Sequence, residues 1–247
     1  MREIRKVRSL KGLKLKARDG DVGALKQVFF DDRDWTVRYL VVSTGVWFMG
    51  REVLIAPKSV IEVDPETGGL VVALSCQQIK DSPELGAGNT LSRKYEEDFH
   101  DYYGIEPYWL NDPSLGVMLS GDAVEPQTDS EAPHPPAAQL RSSDAVTGYV
   151  IHARDGEIGK VSDFLVDDEV WNVRYLEVDT GNWLAGSRVL LAPAWVDSID
   201  WEAGLVRVQL DCDAIHRAPE YSPGRLLDRD YEIRLFAHYG KAWNEDQ

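Results

Sequence analysis

The sequence predicts a mainly β protein: two tandem small antiparallel β-barrels, each with about six strands and a C-terminal helix. Three observations predict it. The chain repeats itself at a fixed spacing, with DDRDWTVRYLVVSTGVW at 31–47 returning as DDEVWNVRYLEVDTGNW at 167–183. Each repeat is a series of short runs dense in β-branched and aromatic residues, punctuated by Gly, Asp and Pro. The end of each repeat then changes to a helical period.

The repeat extends well beyond the stretch quoted. At the same spacing ARDGDVG (17–23) meets ARDGEIG (153–159), VLIAP (53–57) meets VLLAP (189–193), and RKYEE (93–97) meets RDYEI (229–233). The match needs no gap from Gly12/Gly148 to Gly104/Gly240. Two units of this length are two domains rather than a solenoid. We place them at 10–110 and 146–245. Residues 111–145 between them are rich in Pro, Ser, Ala and acidic residues, have little to bury, and read as a linker.

In the first repeat, Leu13, Leu15 and Ala17 alternate with Lys14 and Lys16, the period of a half-buried strand. Asp19-Gly20 reverses the chain. Val22 to Asp31 is a second strand, and Thr36 to Thr44 a third and central one. Trp47 to Ala56 is a fourth, bent at Gly50 and stopped by Pro57. Val60–Asp64 and Leu70–Leu74 complete the set around a turn at 65–69. A sheet of this size in so small a unit is expected to curl closed and so remove its edges. Ser75 and Asp211 are placed to cap a short helix, and Ser92 and Asp228 a second one. Tyr95, Phe99, Tyr102 and Tyr103 form one stripe on that second helix, and Gly104 and Gly240 sit at its C-cap.

Composition excludes several classes. The chain has 247 residues, 43% of them hydrophobic, and eight Trp, ample for packed cores. No apolar run approaches the roughly 18–20 residues of a membrane span, and the N-terminal segment lacks the apolar block of a secretory signal. A cytoplasmic protein is expected, with Cys76 and Cys212 as reduced thiols. The net charge of −15 disfavours nucleic acid as a partner. Against that acidity, residues 2–18 hold eight Lys or Arg beside the single Glu3. This basic arm could touch anionic lipid at a membrane surface, RNA or the acidic body itself.

The order of motifs resembles the PRC-barrel domain. It runs from a strand into DGDVG or DGEIG, a hydrophobic strand ending in Asp-Asp, W-x-V-R-Y-L, T-G-x-W, then V-L-I-A-P or V-L-L-A-P. Related barrels form the cytoplasmic domain of the photosynthetic reaction centre H subunit and the C-terminal domain of a ribosome maturation factor. The resemblance covers both repeats. It implies a β-barrel fold and a non-enzymatic interaction role, with electron-transport accessory and RNA or ribosome assembly roles as alternatives.

No histidine is shared between the repeats, so a His-based metal or general-base site common to both is excluded. The shared cysteines follow a helix cap but have no CxxC or Cys/His signature. The shared carboxylates, Glu96 among them, are read as turn and cap residues, and Asp31-Asp32 lacks calcium-loop spacing. No catalytic, cofactor-binding or metal-ligating residue is assigned. Arg38 and Arg174 stand apart, because each lies in the middle of a strongly apolar strand and must point outward or find a carboxylate. With Trp35 and Trp47, and their counterparts Trp171 and Trp183, they form a candidate interface. The expected partners are a protein and, within the chain, the other repeat, paired about a pseudo-twofold axis.

Overall fold

In a computed structural model of the chain, residues 3–45, 50–64, 68–85, 91–111, 139–181, 188–222 and 227–243 are described. The first half runs β2 (Lys14–Ala17), β3 (Gly20–Asp31), β4 (Val37–Thr44), β5 (Glu52–Ile55), β6 (Val60–Val63) and β7 (Leu70–Val72). It ends in α2 (Cys76–Lys80) and α3 (Arg93–Tyr103). The second half repeats this order as β9 (Val150–Ala153), β10 (Gly156–Asp167), β11 (Val173–Asp179), β12 (Arg188–Leu191), β13 (Val196–Asp200) and β14 (Leu205–Val208). Its helices are α5 (Cys212–His216) and α6 (Arg229–His238). The expected caps form at Ser75, Ser92 and Asp228. Asp211 makes no side-chain cap; the Cys212 N–H donates instead to Asp155 Oδ1 at 2.7 Å. On α3 the expected stripe is incomplete, since Phe99 is buried but Tyr102 is exposed and donates its hydroxyl to the Gln78 carbonyl.

The sheets correct the expectation of closed antiparallel barrels. Strand order is β5-β4-β3-β2-β7-β6 in one half and β12-β11-β10-β9-β14-β13 in the other. In each, the two end strands are consecutive in sequence but do not pair among the described residues. A single 3-10 turn separates them, Pro57–Ser59 or Pro193–Trp195. Proline has no N–H to offer a ladder, and the turn carries the chain away from the strand it has just left. The sheets are also mixed, because β2 runs parallel to β7 and β9 parallel to β14. Edge protection comes partly from cover. The Leu85 N–H donates to the Glu52 carbonyl on β5, and the Tyr221 N–H to the Arg188 carbonyl on β12.

Each sheet gains a seventh strand from the opposite half. β1 (Ile4–Lys6) pairs with β10, and β8 (Leu140–Ser142) pairs with β3. Both pairings use the far end of a 12-residue strand whose near end pairs within its own half. A short helix follows each exchanged strand, α1 (Val7–Leu10) and α4 (Ser143–Val146). β8 and all but the last residue of α4 thus fall within 111–145, the stretch expected to be linker. The basic arm lies against the body. Arg5 pairs with Asp168 at 2.7 Å, and Lys6 with Glu177.

One hydrophobic core runs through both halves, uniting Leu15, Phe30, Leu40 and Ile55 with Phe164, Leu176, Leu191 and Val206. A second, smaller cluster packs Phe99 of α3 on Tyr39, Val41 and Leu54 of the first sheet. Close approach at the β2–β3 bulge requires glycine. A Cβ on Gly23 would lie 2.1 Å from the Ser43 carbonyl oxygen, and one on Gly159 2.1 Å from that of Asp179.

The exchange is fastened by a buried charge cluster in the second half alone. Glu177 is fully buried and is held by Lys6, by Arg188 at 2.7 Å and by the Ser162 hydroxyl at 2.9 Å. The residue at the matching place in the first half is Val41, and Lys6 is matched by Ser142. Removing one partner of a buried pair costs roughly 3–5 kcal/mol, whereas replacing both by apolar groups is often neutral. Lys6→Met is therefore expected to destabilise the protein by about 2–3 kcal/mol in urea denaturation, since Arg188 remains on Glu177. Lys6→Met with Glu177→Val should recover most of that loss.

Candidate interface at the junction of the two halves

The junction is built by the β3–β4 and β10–β11 turns. Asp31 accepts the Arg33 N–H and Asp34 the Thr36 N–H, so short polar side chains close the first turn. Asp167 closes the second by accepting from Glu169 and Val170. Each turn forces a tryptophan into the left-handed region, with φ of 60° at Trp35 and 55° at Trp171. For a bulky residue this conformation is costly and persists only where surrounding contacts hold it. Here they do. The Val37 N–H donates to the Trp171 carbonyl at 2.7 Å, and the Val173 N–H to that of Trp35 at 2.9 Å. Thr36 and Asn172 bridge between them. Trp35 stacks on Phe30 at 5.3 Å, and Phe30 meets Phe164 of the other half at 5.5 Å.

Flanking this centre, Asp32 and Asp168 each clamp an exchanged strand. Asp168 accepts from the Glu3 N–H and from Arg5; Asp32 accepts from the Gln139 N–H and from Arg141 at 3.0 Å. Every one of these contacts recurs at the spacing of the sequence repeat, the signature of an isologous pseudo-twofold interface. The role of Asp32 and Asp168 went unread because turn chemistry already explained them. The signal available was Arg5 matching Arg141, outside the stretch where the repeat was first recognised.

Arg38 and Arg174 occupy matching places on β4 and β11 but differ in surroundings. Arg38 pairs with Asp31 at 3.2 Å and with Asp34, and lies over the Tyr108 ring at 4.3 Å. Arg174 is more deeply buried, and its nearest carboxylate is Glu232 at 3.9 Å. The structure thus brings Arg38, Arg174, Trp35 and Trp171 to one junction, where the two tryptophans are buried. Trp47 and Trp183 lie outside the described residues.

Beneath each arginine strand a tyrosine holds a buried glutamate on the C-terminal helix. Tyr175 donates to Glu232 at 2.6 Å, and Tyr39 to Glu96 at 3.2 Å. In the first half Tyr108 also donates to Glu96 at 2.8 Å, and His100 Nε2 lies 2.8 Å from the Tyr39 hydroxyl. Burial pushes the Glu96 carboxyl above its ordinary value. Burial, with Lys58 and Arg93 nearby, holds His100 below its ordinary value. Sequence reasoning placed Glu96 among the shared carboxylates, most of which coincide with turns or caps. Its alignment with Glu232, beside tyrosines on matching strand positions, was the missed signal.

The two cysteines share one environment. Each Cys N–H donates to an aspartate, Asp19 or Asp155. Burial and that neighbouring carboxylate raise the Cys76 thiol and push the Cys212 thiol up to about 11. Among the described residues, no group of three or more His, Cys, Asp or Glu could hold a metal ion, and no helix is long and apolar enough to cross a membrane.

A His100 held below its ordinary value of 6.5 stabilises the fold fully above that pH, and the contribution is lost as pH falls through the lowered value. Glu96 acts in the opposite sense, favouring the fold when protonated. His100→Phe, which copies Phe236, separates the two. Urea midpoints measured from pH 8 to 5 should fall less for this variant than for the unaltered chain.

Comparison with known families gives one match. The family model described as PRC-barrel domain fits residues 139–209, from the exchanged strand β8 to the end of β14. No curated protein matches the chain. The match names the domain and nothing of the reaction centre H subunit, so the photosynthetic association is withdrawn together with the closed barrel. Residues 139–209 are a PRC-barrel domain, and in this chain its sheet is open and completed by a strand from the other half.

Proposed function

We propose that the chain is a non-enzymatic scaffold that binds a protein partner, and that residues 10–110 form a second copy of the domain found at 139–209. The units 10–110 and 146–245 would each be finished by a strand lying outside them. On this reading Trp35 and Trp171 hold the halves together, Arg38 braces the first turn through Asp31 and Asp34, and partner binding falls elsewhere.

The observation that carries the reading is a groove of about 920 Å³ beside edge strand β6, with walls from both halves. Ile61 stands 60% exposed on that edge, facing a rim that includes Arg5, Glu62, Asp168 and Trp171. An unpaired strand edge with an exposed apolar residue suits an added extended segment, held by main-chain hydrogen bonds. In the second half Arg141 lies on Trp201 at 4.1 Å, beside the matching edge β13. The two edges are therefore not equivalent, and β6 is the one proposed to bind.

A photo-crosslinking residue at position 62 should capture a recurrent protein from the native cell, and Ile61→Asp should abolish the capture without lowering the thermal midpoint. The same captured set with both chains would contradict the proposal. So would a set that disappears on nuclease treatment, which would point to RNA instead.

A further inference from the structure

We propose that Arg174 forms a binding site for a small carboxylate bearing a flat apolar group, in a cleft between the two halves. This site is independent of the groove beside β6 and requires no protein partner.

The side chain of Arg174 is only 7% exposed, yet none of its five N–H groups has a hydrogen-bond acceptor among the described residues. Its one carboxylate neighbour, Glu232, is 3.9 Å away, beyond hydrogen-bonding reach, and already accepts from Tyr175 at 2.6 Å. A buried cation with its donors unmet is expensive unless something supplies acceptors. Those donors are not sealed in protein. The buried nitrogens and oxygens without a partner include Nε of Arg38 but no atom of Arg174. They open on a cleft of about 300 Å³, walled by Trp35, Tyr175, Pro193 and Phe236.

The first half shows this arginine with carboxylates within hydrogen-bonding reach. Arg38 has Asp31 and Asp34 as acceptors and Tyr108 as a stacking face. Of the two carboxylates that Arg38 uses, Asp34 is matched by Val170 and Asp31 by Asp167, which accepts from the Glu169 and Val170 N–H groups, so Arg174 lacks the counterpart of Asp34. Asp34 also borders the Arg174 cleft, but its carboxylate is committed to Arg38 and the Thr36 N–H. A guanidinium fork matches a carboxylate in two parallel hydrogen bonds. The aromatic and proline walls accept a flat hydrocarbon, and the volume sits at the lower end of the roughly 300–1,000 Å³ range of ligand pockets.

The test is titration of the intact protein with sodium benzoate, followed by NMR of the Trp35 indole and the Arg174 Nε–H. Benzamide serves as the neutral control of the same shape. Benzoate should give saturable shifts at both groups, and benzamide should bind at least tenfold more weakly. Arg174→Met should weaken benzoate binding at least tenfold. Arg174→Lys, which keeps the charge but loses the fork, should be intermediate and guards against a folding defect in the Met variant. Absence of saturable benzoate shifts would overturn the proposal, as would equal binding of benzamide or undiminished binding by Arg174→Met.

Discussion

Each half of this protein lends the other a strand, and the rest of the architecture depends on that exchange. β1 and β8 pair with the far ends of β10 and β3, and Asp168 and Asp32 fix them there through Arg5 and Arg141. Neither sheet is complete within its own repeat. The tryptophans at the centre, held in a left-handed conformation that a bulky side chain disfavours, are fixed by carbonyl contacts that cross between the halves. The costly local backbone and the long-range pairing therefore support one another, and a core continuous through both halves stabilises the result.

On this symmetric frame the two halves have diverged chemically. The second half buries Glu177 and Asp163 where the first has Val41 and Gln27, and it draws Lys6 across the interface to satisfy the charge. The first half has gathered His100 and Tyr108 around Glu96, where among the described residues the second has Tyr175 and Arg174 near Glu232. Structural positions common to both are kept with changed chemistry. Tyr102 donates its hydroxyl to the carbonyl of Gln78, and His238 meets that of Ala214 at the matching place. What repeats is the scaffold, and what differs is where binding is to be sought.

Local pattern disclosed most of the elements. Alternation at Leu13–Ala17, the Asp19-Gly20 reversal, the β-branched run ending at Thr44 and the caps at Ser75, Ser92 and Asp228 all follow from short-range chemistry. Sheet closure was not legible. Whether β5 meets β6 depends on the path through Pro57–Ser59, and no periodicity encodes that path. Strand exchange was equally hidden, because Ile4–Lys6 and Leu140–Ser142 are three-residue strands whose partners lie more than a hundred residues away. The two arginines were visible as anomalies in an apolar strand. That one has a carboxylate within hydrogen-bonding reach and the other does not came only from the side chains around them.

Cutting the chain between the halves tests the interdependence most directly. A protease site placed within 121–130, once cleaved, should leave a particle of the uncut mass, 27.8 kDa, that unfolds in a single transition reported equally by tryptophans of both halves. Separation into two particles of about half that mass, each retaining its β-sheet spectrum, would contradict the account, since each half would then be complete without the strand it borrows.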